Sequence, residues 1–81
     1  VESKQPLEVG LIMNILTEAI KREEESYEYY YNASLKATKP ATKKLLLELA
    51  EWEKSHIEEL QHHVAELKAQ KEIDRAITGG I

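Results

Sequence analysis

Two runs of apolar residues, each spaced by alternating steps of three and four and separated by a single break at Ala37 to Pro40, confine this chain to a pair of long amphipathic helices. In the first run the apolar or aromatic positions are Val9, Ile12, Leu16, Ile20, Tyr27 and Tyr30, closing at Ser34. The gap between Ile20 and Tyr27 demands one more core residue, and an acid, Glu23, fills it. The second run reads Leu46, Leu49, Glu53, His56, Leu60, His63 and Leu67, then continues weakly through Ile73 and Ile77. At the break, Pro40 pushes the residue before it away from helical geometry, so this is the one internal turn. Pro6-Leu7-Glu8 reads as a helix start, with Gly10 weakening the first turns by up to ~1 kcal/mol and inviting fraying or a bend. Thr78-Gly79-Gly80-Ile81 reads as a stop and a short tail.

The expected fold is all-α: a lead over residues 1–6, one antiparallel helical hairpin over 7–77 and a tail over 78–81. Each helix should have about 28 to 32 residues, on the order of 40 to 50 Å at 1.5 Å per residue. Two helices alone make a poor core, and 81 residues bury little surface when they fold alone. Each stripe is flanked by further apolar residues: Leu11, Met13, Ala19 and Tyr31 on the first helix, and Leu45, Leu47, Trp52, Ile57 and Val64 on the second. Burying these calls for a homodimer forming a four-helix bundle, or a higher assembly of such dimers.

Composition removes several function classes. The chain has no cysteine, which excludes disulfides, zinc-thiolate clusters and iron-sulfur centres. Its 11 basic residues are interleaved with 15 acidic ones for a net charge of -4, a poor match to nucleic acid. No apolar run is long enough to span a membrane and no secretory leader is apparent, so a soluble, cytoplasmic protein is expected.

The polar residues in the core line carry the chemistry. Glu53-Lys54-Ser55-His56 is a Glu-x-x-His, and positions i and i+3 share a helix face, so carboxylate and imidazole can reach one ion. A carboxylate facing a core is costly unless something neutralises it. Glu23 lies seventeen residues before Pro40 and Glu53 thirteen after it, which places them at nearly equal height on antiparallel helices. Glu23, Glu53 and His56 are therefore the expected metal ligands. Doubled by a two-fold axis they give four carboxylates and two imidazoles, the inventory of di-iron and di-manganese carboxylate bundles. Mixed oxygen and nitrogen ligands suit iron or manganese, and zinc is also compatible. Without metal the acids would repel one another and some would hold protons, so metal should stabilise the dimer.

Plainer readings stand beside these. Glu23 could be a solvated acid in the run Glu23-Glu24-Glu25, and Glu53 with His56 a surface pair. Tyr27, Tyr29, Tyr30 and Tyr31 suit core and interface packing, and only Tyr30 invites a functional role. His62 should face solvent, His63 is either an accessory ligand or a bundle-end histidine, and Trp52 an interface anchor.

The segment Ala19-Ile20-Lys21-Arg22-Glu23, with Tyr30 seven residues after the acid, then Leu49 through His56, resembles one half of the rubrerythrin and ferritin-like superfamily. The resemblance covers roughly Leu16 to Leu67. Ordinary members carry two such hairpins, whereas this chain has one, which resembles the encapsulated-ferritin type, where two subunits complete the metal site. It implies Glu23 as a terminal carboxylate, Glu53 as a metal-bridging carboxylate, His56 as the imidazole ligand and Tyr30 as a catalytic-site group beside them. It implies two iron ions per dimer, Fe(II) and dioxygen or peroxide as reactants, and an encapsulating shell protein forming a nanocompartment as a further partner. Glu25 matches an iron-gathering acid outside the bundle, but Arg22 stands where a second would be. The four-cysteine relay of rubrerythrins proper has no counterpart, which favours a ferroxidase, serving iron storage or detoxification, over a self-contained peroxidase. The alternative is a non-enzymatic helical interaction module whose buried polar groups set pairing specificity, or a redox-inert metal binder.

Overall fold

A computed structural model describes residues 8–79, with side chains through residue 73, as two helices and nothing else. Helix α1 spans Val9–Lys36 and α2 spans Pro40–Gly79, and they pack against each other along an antiparallel hairpin. The expected helix start at Pro6-Leu7, the whole of the 1–6 lead, and Gly80-Ile81 of the tail lie outside the described residues.

The turn is built by backbone chemistry that the sequence dictates. Ala37 is extended at φ -70°, ψ 135°, and its N–H still donates to the carbonyls of Ala33 and Ser34 at 3.1 and 3.3 Å, closing α1. Pro40 then opens α2 as its first residue, where a missing N–H costs nothing, and Lys43 N–H donates to the Lys39 carbonyl at 3.0 Å. A clasp ties the ends together: Lys43 Nζ donates at 2.9 Å to the Ser34 carbonyl, the second bond to an oxygen that also accepts from Ala37 N–H. Residues near the turn are thereby locked in register, and the register carries along both helices.

Along α1, Val9, Ile12, Leu16, Ile20, Glu23, Tyr27 and Tyr30 are half-buried and Ser34 is buried, as the period predicts. The helix is continuous through Gly10. Along α2, Leu46, Leu49, Glu53, His56, Leu60 and Leu67 are half-buried, but His63 is exposed and Val64 takes its place in the seam. The cause is geometric: a strict seven-residue repeat slips about 20° per heptad on a 3.6-residue helix, so the Leu49, His56, His63 series rotates steadily off the contact line. Helix α2 has 40 residues, longer than expected, and remains helical through Thr78 and Gly79. Ile73 is 51% exposed, and the strong helix formers Ala69, Gln70, Lys71 and Glu72 favour continuation of the helix there. The side chain of Ile77 lies outside the described ones.

The hairpin is thin, with extents of 63 × 24 × 17 Å, so it is a single layer of two helices. Among the described residues the only buried ones are Ala50 and Ser34, at 2% and 1% exposure. These two small residues set how closely the helices approach. No helix among the described residues is long and apolar enough to cross a membrane.

Ser34 Oγ donates to the Tyr31 carbonyl at 2.6 Å within its own helix, so its hydroxyl makes no demand on α2. Its size, not its polarity, is what the packing needs. Ser34→Leu should therefore cost about 1–3 kcal/mol by prying the helices apart, while Ser34→Ala stays within about 1 kcal/mol of the parent. Denaturant unfolding at matched protein concentration checks both; equal losses in the two variants would contradict the size argument.

Candidate metal centre

The register set at the turn brings Glu23 of α1 level with Glu53 and His56 of α2, where one ligand atom from each lies within 4.8 Å of the others. His56 Nδ1 is 3.5 Å from Glu53 Oε1 and 3.7 Å from Glu23 Oε1. Those separations exceed an ordinary N–H···O hydrogen bond. They match two donors sharing one cation, since ligand bonds of about 2.1 Å at near-tetrahedral angles hold their donors about 3.4 Å apart. The donor set of two carboxylates and one imidazole suits iron, manganese or zinc.

The exposures of the three side chains give the site a direction. Glu53 is 21% exposed, Glu23 31% and His56 43%, so the carboxylates sit in the seam and the imidazole opens toward one face of the hairpin. A three-residue step leaves His56 about 60° around the helix from Glu53 and so farther off the contact line. On the same face the Trp52 ring stands 5.9 Å from the His56 ring, tilted by 43°, and is itself 64% exposed. The contact of Trp52 with His56 is a feature the sequence reading missed, although the i,i+4 spacing signals it.

Electrostatics set the two acids against each other. The Glu53 carboxyl is pushed above its ordinary value of 4.5, first by a hydrogen bond with the Glu23 carboxyl, then by burial and by the Glu23 charge, with His56 opposing. Two facing carboxyls can hydrogen-bond only if they hold a proton between them, and a metal ion would take that proton's place.

The remaining candidates are placed as follows. Tyr30 is half-buried on the Glu23 face, two turns farther along, and its ring meets Tyr29 edge-on at 5.6 Å. Tyr30 stands seven residues beyond Glu23, about 10 Å along α1. Tyr27 and Tyr31 stack at 6.0 Å, a packing arrangement. His62 and His63 are 71% and 58% exposed and stand apart from the cluster. Arg22 points to solvent beside Glu18, at 4.0 Å, and Glu25 is exposed.

In comparison with known proteins, the family model described as Rubrerythrin matches residues 14–79, most of the chain and all three ligand candidates. No curated protein and no solved structure matches it.

Because the folded state holds its Glu53 proton more tightly than the unfolded chain does, the associated stability is fully present below 4.5 and is lost as pH rises through the folded-state value. Glu53→Gln should therefore raise the thermal midpoint of metal-free protein at neutral pH and flatten its pH dependence above 4.5. Melts followed by circular dichroism in chelator check this; an unchanged pH profile would contradict the carboxyl pairing.

Proposed function

Because the chain belongs to the rubrerythrin family, we propose that it is a di-iron carboxylate protein that oxidises Fe(II), with a centre completed between two copies of the hairpin. The observation that carries this reading is the convergence of Glu23, Glu53 and His56 into one half-exposed cluster. A single hairpin supplies three ligands, half the complement of a di-iron carboxylate bundle.

The face toward which His56 opens favours a second copy as the source of the other half. At 3.6 residues per turn, Leu45 and Trp52 fall on the His56 side of α2, and Leu11 and Ile15 on the side of α1 that shares this face. All four are more than half exposed, at 55%, 64%, 54% and 57%. A two-fold related hairpin laid on that face would bury them and set a second cluster against the first. It would also shield the centre from water, which strengthens every charge interaction within it.

The residues then divide the work. Glu23 and Glu53 neutralise and hold cations, Glu53 being the carboxylate nearer the seam and so the one suited to lie between two ions. His56 fixes the remaining ligand direction, with Trp52 limiting its ring rotation. Tyr30 borders the centre from α1. Iron bound there supplies the redox chemistry, giving up an electron per ion to dioxygen or peroxide. Storage or detoxification of iron, with or without an enclosing shell protein, is the role this activity serves.

Anaerobic addition of Fe(II) followed by air should give ferric absorbance saturating near about one iron per chain. Glu53→Ala and His56→Ala should each abolish the rapid phase. Undiminished oxidation in both variants would sink the assignment, and a chain that takes up no iron and ignores chelator would instead fit the interaction module.

A further inference from the structure

Two turns beyond His56, on the same side of α2, His62, His63 and Glu66 form a second group of metal-ligating side chains that the centre does not use. Glu66 serves both imidazoles at once: His62 Nε2 is 3.2 Å from one carboxylate oxygen and His63 Nδ1 is 3.5 Å from the other. The His63 separation equals that between His56 and Glu53 in the centre. The Glu66 carboxylate thus faces two imidazoles, one at each oxygen.

The surroundings supply a reason for ligand and cation to meet here. His63 and Glu66 line a groove of about 410 Å³ whose α1 wall, Ile12 and Leu16, is apolar and offers no competing charge. His63 lies seven residues beyond His56, about 10 Å along the axis of α2. The His62 and His63 rings are 6.3 Å apart, too far to meet on one ion as they stand, so Glu66 is the shared arm of two overlapping half-sites. Each half-site offers one oxygen and one imidazole nitrogen, with water completing the shell. That set selects borderline divalent ions over calcium or magnesium.

We propose that His62, His63 and Glu66 constitute two overlapping, outlying half-sites for a borderline divalent cation, about two turns along α2 from His56. Binding there depends only on one helix and not on a second copy of the chain. Its role as a holding point for ions bound for the centre rests on the function proposed above.

The chain has three histidines, so the ring signals of His56, His62 and His63 can each be followed by NMR while Zn(II) is added to the full-length protein. The His62 and His63 signals should move with saturable dependence on Zn(II). In Glu66→Gln, a change at a side chain that is 62% exposed and so compatible with folding, the Zn(II) needed should rise by at least about tenfold, with the His56 response unchanged. Immobile His62 and His63 signals, or equal responses in parent and Glu66→Gln, would overturn the site. Movement of His62 and His63 with a silent His56 would support it while contradicting the assignment of the centre.

Discussion

Everything distinctive about this hairpin depends on two carboxylates, Glu23 and Glu53, held face to face across a seam that is otherwise apolar. Leucine at either position would make a better two-helix seam. The Glu23 carboxyl beside it, together with burial, instead pushes the Glu53 carboxyl above its ordinary value, and His56 Nδ1 stands 3.5 Å from Glu53 Oε1. A structure that keeps such a pair trades folding stability for a charge requirement, and a divalent ion meets that requirement more fully than a proton does.

The same economy explains the shape. A single layer of two helices in which, among the described residues, only Ala50 and Ser34 are buried gains little from its own core against the ordering of so many residues. The apolar residues that would add to that gain, Leu11, Ile15, Leu45 and Trp52, lie on the face toward which the imidazole turns. The proposed assembly and ion binding would therefore be coupled, because the exposed apolar surface and the imidazole lie on the same face.

Much of this is legible in the sequence because helix geometry is local. The steps of three and four, the proline at the turn and the equal distances of Glu23 and Glu53 from it specify both helices and the level at which the acids meet. What escaped is what accumulates or depends on volume. The slip of a seven-residue repeat against 3.6 residues per turn is invisible at Leu46 and decisive by His63, which leaves the seam to Val64. Ser34 and Ala50 look unremarkable in the sequence yet occupy the closest approach. Trp52 against His56, and Glu66 between two imidazoles, are spacings the eye passes over when apolar periodicity is the guide. The family match over residues 14–79 supports iron as the ion, a choice that ligand type alone leaves open.

The central claim is that one copy holds half a centre, and native mass spectrometry of protein loaded anaerobically with Fe(II) tests it most directly. The account predicts iron only on dimers or their multiples, about two ions per dimer, with the dimer fraction rising as iron is added. Iron retained by monomers at full occupancy, or dimers that form without regard to iron and carry none, would contradict it.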